Sequence, residues 1–171
     1  MRASASVVAG VFTLSLCGLG LGCAGHHAPP GGSADPAFAV VEIRPQPRQT
    51  LKDQIIQEAS VAEEHGLTPF LELTSGYSRR CFLVNHSFDD ARMRQALTGT
   101  YIIRIDIDVW VGRFGETGLD RLPMALPGFV QLFEGGRGMG PYIDARSWIA
   151  DAPSAVAPSL GAFVHSFVAA N

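Results

Sequence analysis

The side chains with the most chemistry in this sequence are its three cysteines, at positions 17, 23 and 81. Cys81 closes the run Tyr77-Ser78-Arg79-Arg80-Cys81, which follows the apolar stretch Phe70-Leu71-Glu72-Leu73-Thr74. A thiol attacks as its thiolate, and nearby cations favour that form. Arg79 and Arg80 stand next to Cys81 in the chain and are candidates for that task. Ser78 lies three residues before Cys81, within the same first turn of a helix. Its hydroxyl is not a redox group, and it is a weak nucleophile without a base beside it. Glu72 is the one acid inside the apolar stretch, and a carboxylate is costly to bury unpaired.

Other constellations are weaker. Gly76-Tyr77-Ser78-Arg79-Arg80 approaches the Gly-x-Ser-x-Gly nucleophile elbow, but Arg80 stands at the last position. His165 and Asp144 would complete a hydrolase triad in name only, since His165 lies in an apolar C-terminal helix. Asp106 and Asp108 alternate along a strand and share a face, which reads as a solvated face or a site rim more than a metal site. Gly135, Gly136, Gly138 and Gly140 form a Gly-rich turn without the Lys-Ser/Thr ending of a phosphate loop. His26 and His27 lack a carboxylate cluster beside them. No metal and no cofactor are expected.

These side chains must be held by an alternating set of elements. Phe38–Ile43 is a short apolar strand ended by Pro45 and Pro47. Leu51, Ile55, Ile56, Ala59 and Ala62 recur at helical spacing within 50–65, with Thr50 as N-cap and Gly66 as the stop. Residues 69–75 form a strand, and a second helix starts near Ser78. Asp89 caps a third helix, with Phe88 and Met93 as its hydrophobic staple. Residues 101–108 are a strand with Ile103, Ile105 and Ile107 on one face. A polar loop covers 112–123, a strand 129–133, and a last helix 158–169, with Pro158 in its first turn. Strands alternating with helices favour an α/β sandwich.

The first 22 residues stand apart. One Arg follows the start Met, then an apolar, small-residue run without an acid, of signal-peptide length. Gly20-Leu21-Gly22-Cys23 resembles the lipobox of bacterial lipoproteins, in which the Cys is lipidated and becomes the mature N-terminus. Gly20 occupies the position where that motif usually has Leu. The alternative is an ordinary secretory signal cut after Ala24 or Ala28. Residues 23–37, rich in Pro, Gly and Ala, read as a flexible tether, and 38–171 as one domain. Hydrophobic residues make up 47% of the 171-residue chain and charged ones 17%, a globular balance. A net charge of −3 disfavours a nucleic-acid partner. The expected location is the cell envelope, lipid-anchored through Cys23, or else secreted and soluble.

The segment Phe70 to Cys81 is similar to the active-site strand–turn–helix of the thioredoxin family, where an aromatic residue precedes Cys-x-x-Cys. Tyr77 matches the aromatic residue, Cys81 the second cysteine, and Ser78 stands where the first belongs. Glu72, six residues before Ser78, matches a buried acid that helps move the proton of the second cysteine. Leu126-Pro127 and the strand after it, closed by Gly135-Gly136, resemble the family's cis-proline strand and its Gly turn. The resemblance covers roughly residues 50–170 and implies a three-layer α/β/α sandwich with a central mixed sheet. It also implies a groove of Tyr77, Ser78, Leu126 and Pro127, bordered by Arg79 and Arg80, that pairs with an extended polypeptide.

The departure from that pattern decides the chemistry. With Cys17 removed and Cys23 lipidated or lost, Cys81 is the only thiol left, so no intramolecular disulfide can form. The resemblance then implies a degenerate Ser78-x-x-Cys81 site that binds polypeptide or thiol partners without a dithiol–disulfide cycle. One alternative is a single-cysteine oxidoreductase or peroxidase using Cys81, although the Pro that peroxiredoxins carry four residues before their Thr-x-x-Cys is here Thr74. Another is a redox-inert structural module. Glu72 is a proton relay to Cys81, the partner of an Arg, or a strand end that meets water. Cys81 is either reactive or a small apolar residue on a buried helix.

Overall fold

A computed structural model of the chain describes residues 38–122 and 124–168. The signal segment, Cys17, Cys23, the tether, His26 and His27 lie outside the described residues. Five strands form one mixed sheet: β1 (Ala39–Glu42), β2 (Thr68–Thr74), β3 (Thr100–Asp106), β4 (Gly128–Phe133) and β5 (Gly138–Asp144). Their order is β1-β3-β2-β4-β5, with β1, β3 and β2 parallel, and β4 and β5 antiparallel to their neighbours. Four helices cover the two faces: α1 (Leu51–Glu64), α2 (Arg79–His86), α3 (Ala91–Ala96) and α4 (Pro153–Val168). This is the three-layer α/β/α sandwich with a central mixed sheet.

The strand period sorts the core into two layers. Every residue of β2 is buried, as expected of a central strand covered on both sides. Leu71 and Leu73 join Ile103, Ile105, Val130 and Leu132 under α1. Phe70, Ile102 and Phe129 point the other way, into a cluster with Val84, Met93, Leu160 and Val164 from α2, α3 and α4. α1 begins where Thr50 closes a capping box: its hydroxyl accepts from the Asp53 N–H (3.1 Å), and its own N–H donates to the Asp53 carboxylate (3.2 Å). Gly66, at φ +67°, ends the helix.

Several boundaries differ from the sequence reading. The third helix is capped by Asp90, whose carboxylate accepts from the Arg92 N–H at 2.8 Å. Asp89 is taken up by a 3₁₀ turn, Ser87–Asp89, that extends α2. With the cap displaced by one residue, Phe88 and Met93 are not a staple; Phe88 packs edge-on against Phe38 instead (6.2 Å).

The last helix starts at Pro153, which leaves Pro158 in its interior. Pro158 itself is exposed, and the buried face of Val156, Ala157, Leu160, Gly161 and Val164 continues on both sides of it, offsetting the hydrogen bond the proline cannot donate. β3 ends at Asp106, so Asp108 does not share its strand face: the Asp108 N–H turns back to the Asp106 carboxylate at 2.9 Å.

Two stretches read as loops contribute structure. Gly138 and Gly140 belong to β5. They are glycines because the neighbouring strand covers them; a Cβ on Gly138 would run into the Phe133 ring. Gly136 (φ +79°) lets the β4–β5 turn sit against α1, where a Cβ would meet the Ala59 side chain and the Ile55 carbonyl. Between β3 and β4, buried Trp110 and Leu119, with Phe114, Leu122 and Met124, close the α1-side core. The Trp110 indole N–H donates to the Ile43 carbonyl (3.2 Å), fastening this segment to the exit of β1.

Candidate functional site

The site is built on the exit of β2. Ser75, Gly76 and Tyr77 form a turn in which the Ser78 N–H donates to the Ser75 carbonyl (3.2 Å). The Ser75 hydroxyl donates to the Asp108 carboxylate (2.7 Å) and accepts from the Tyr77 N–H (3.3 Å), so the turn is tied to the segment leaving β3. Tyr77 is thrown outward and is 92% exposed.

Ser78 is the N-cap of α2. Its hydroxyl accepts from the Cys81 N–H at 3.2 Å, satisfying one of the donors that a helix start leaves open. Cys81 follows in the first turn, turned into the core and only 1% exposed. It is a free thiol. Ser78 and Cys81 are therefore side by side at the mouth of one helix, with the hydroxyl committed to backbone and the thiol withdrawn from solvent.

The two arginines after Ser78 part company. Arg79 is exposed. The Arg80 guanidinium pairs with Asp151 (2.7 Å) and donates to the Ala145 carbonyl (3.0 Å). That geometry makes Arg80 a tie between α2 and the segment connecting β5 to α4. Asp151 also lies 3.4 Å from the Trp148 indole nitrogen.

Beneath the helix sits Glu72, with 0% exposure. The parallel register of β2 and β3 places Arg104 opposite it, and the Arg104 Nε donates to the Glu72 carboxylate at 2.7 Å. The Arg104 guanidinium lies over the Phe88 ring, 5.1 Å from its centroid, a cation–π placement. Its Nη2 is buried without a hydrogen-bond partner. The amide orientation that satisfies the neighbours of Asn85 has Nδ2 donating to Glu72 and to the Cys81 carbonyl, and Oδ1 accepting from Thr74. Asn85 thus bridges the buried acid and the turn that carries Cys81. Burial pushes the Glu72 carboxyl above the ordinary carboxylate range, against the pull of Arg104. Of the three environments open to Glu72, a strand end in water is removed and an arginine partner is present.

The second half of the site arrives from the other direction. β4 pairs antiparallel with β2, with Gly128 opposite Leu73. The chain just before Gly128 therefore lies at the end of the sheet from which the Ser75–Ser78 turn rises. There Leu126 is half-buried, Pro127 is buried, and the peptide between them is cis. The Ala125 N–H donates to Asp144 (3.1 Å), which also holds the Arg146 Nε at 3.0 Å. Asp144 is thus committed to local bonds. His165 lines a groove between α3 and α4 with Arg92 and Gln95, so Ser78, Asp144 and His165 do not form a hydrolase constellation. Among the described residues no group of three or more His, Cys, Asp or Glu could hold a metal ion.

Arg104 and Asn85 are the members of this site that sequence reading overlooked. Arg104 left one signal: it is the single cation in its strand and lies between Ile103 and Ile105, so it takes the opposite face, in the same layer as Ile102 and Glu72.

No family model matches the chain, and no curated protein matches it in sequence. Solved structures do match. A disulphide isomerase from Xylella fastidiosa Temecula1 superposes with a TM-score of 0.50 at 12% identity, covering 72% of this chain and 96% of its own. A point mutant of thioredoxin from Halobacterium salinarum NRC-1 gives 0.49 at 12% identity over 80% and 96%. The reduced thioredoxin pre-protein of Schistosoma mansoni gives 0.47 at 12% over 75% and 98%. Together with the element order, the disulphide isomerase match shows a thioredoxin-like fold.

Two outcomes follow from this geometry. A thiol reagent such as Ellman's should modify Cys81 in the folded protein at neutral pH at least about a hundredfold more slowly than in guanidinium, because the opening needed to expose it has a free-energy cost. The second concerns Glu72. A carboxyl whose folded pKa is raised stabilises the fold fully below its unfolded pKa, and that contribution is lost as pH rises through the folded value. Denaturation of Glu72→Gln and the parent at a series of pH values should show the parent losing stability relative to the variant from the ordinary value of 4.5 upward.

Proposed function

We propose that this chain is a thioredoxin-fold protein of the cell envelope, held to a membrane by lipid on Cys23. In this reading it binds polypeptide or thiol-bearing partners at its degenerate Ser78-x-x-Cys81 site and does not run a dithiol–disulfide cycle. The observation that carries the reading is the Ser78 hydroxyl accepting from the Cys81 N–H. A thioredoxin-like site has its attacking position filled by a helix cap, while the remaining thiol is buried. A disulfide cycle needs an accessible thiolate and a second thiol to resolve the mixed disulfide, and the pair Ser78 and Cys81 supplies neither.

Support for binding comes from what the site still offers. Tyr77 stands almost wholly in solvent beside the cap, and Leu126 and Pro127 lie at the same end of the sheet. An exposed aromatic residue next to a strand start suits an extended segment held by backbone pairing and one anchored side chain. Arg79 borders this groove from the solvent side. The single-cysteine peroxidase alternative needs a thiol that peroxide can reach, and 1% exposure argues against it.

Binding of an unfolded, carboxymethylated polypeptide by the full chain tests the reading. Tyr77→Ala should weaken that binding about tenfold, equivalent to 1.4 kcal/mol. In the same protein Ser78→Cys should create a working dithiol with Cys81 and confer reduction of insulin disulfides, which the parent lacks. No loss with Tyr77→Ala and no gain with Ser78→Cys would overturn the groove.

A further inference from the structure

The outward side of α2 carries Phe82 and Leu83, which neither the core nor the groove uses. Phe82 is 57% exposed and Leu83 40%, and the His86 ring stacks on Phe82 with centroids 3.9 Å apart. Arg79, also exposed, completes this face, and α2 contains no acidic residue. Arg80 binds the first turn of α2 to the segment carrying Ile149, which is 99% exposed. An exposed aromatic and aliphatic cluster bordered by an exposed arginine, Arg79, is the composition that settles at a membrane–water boundary. The rings lie at headgroup depth, and the long cations reach outward to phosphates.

The place where the chain enters the fold selects the same side. Phe38 packs on Phe88, in the 3₁₀ turn directly after α2. Fifteen residue steps separate Cys23 from Phe38, a span of at most about 50 Å. The tether therefore joins the domain on the side that holds α2, with α1 across the sheet. No helix among the described residues is long and apolar enough to cross a membrane, so contact would be by surface only.

We propose that the Phe82–Leu83 face of α2 docks on the bilayer that holds the Cys23 lipid, laying the domain down on the membrane surface. This rests on the lipid-anchor reading above, and goes beyond it by assigning the contacting face and its orientation.

The test uses the full chain, produced with its own leader in a bacterial envelope and reconstituted in phosphatidylethanolamine–phosphatidylglycerol vesicles. Intact mass first reports whether Cys23 carries acyl chains. Phe82→Trp then serves as a depth probe against lipids brominated in the upper acyl chain, with the parent correcting for Trp110 and Trp148. Docking at the headgroup–acyl boundary should quench the added indole by roughly half. Val111→Trp, exposed on the segment that covers the α1-side core, should be unaffected. Adding Leu83→Glu to Phe82→Trp should restore emission.

An acylated protein whose Phe82→Trp emission is unchanged, or whose Val111→Trp is quenched equally, overturns this inference and leaves the anchor standing. A chain without acyl mass overturns both. Emission from Phe82→Trp that depends on protein concentration without vesicles would assign the face to a second copy and overturn the lipid assignment.

Discussion

A carboxylate lies in the middle of the central strand, and the rest of the site is arranged around that constraint. Glu72 is fully enclosed, in a strand buried from end to end. Removing one partner of such a buried pair typically costs about 3–5 kcal/mol, because the charge left behind has neither water nor counterion. Pairing in parallel register with β3 brings Arg104 directly across, and the Phe88 ring gives its guanidinium a face to rest on. Asn85 reaches the same carboxylate from α2. Strand register, the 3₁₀ turn after α2 and the helix itself are thus coupled through one acid. A slip of β3 by one residue would turn Arg104 to the α1 side and leave Glu72 without its cation.

α2 connects that buried pair to the surface. Its inner side sends Cys81 and Val84 into the core, and its start is capped by Ser78. Through Arg80 it holds the β5–α4 connection, and its outer side presents Phe82 and Leu83 to solvent. Serine is among the strongest helix-capping residues, so Ser78 secures the start of α2 as well as separating Cys81 from the Tyr77 turn.

Much of the fold was legible from local pattern. The isoleucines of 101–108, the α1 stripe and the apolar run around Glu72 follow periods of two and 3.6, and each became the expected element. What was not legible depended on neighbours distant in sequence. Gly138 and Gly140 look like turn residues until Phe133 and Gln131 on β4 are seen to occupy the space above them. Pro158 looks like a helix start until the residues on both sides of it, Val156 to Val164, are seen to form one buried face, with Gly161 against Ala96 of α3. Trp110 and Leu119 sit in a stretch rich in polar residues and glycine, and only their packing on α1 and β1 makes them core.

For the site, the sequence alone determined that Cys81 is the one cysteine beyond position 23, that Ser78 stands three residues before it, and that Glu72 is the one acid in the apolar run leading to them. These are statements about which atoms exist, and folding does not change them. Where those atoms sit was decided by tertiary structure. Whether Cys81 meets solvent depends on which side of α2 faces the sheet, and that side is inward. Whether Glu72 is free depends on which residue β3 places across from it, and that residue is Arg104. Whether Arg80 serves the thiol depends on the connection between β5 and α4, which offers it Asp151 and the Ala145 carbonyl instead. The physical reason is common to all three: burial and pairing are properties of contacts between segments far apart in the chain, and sequence spacing records only the contacts within one segment.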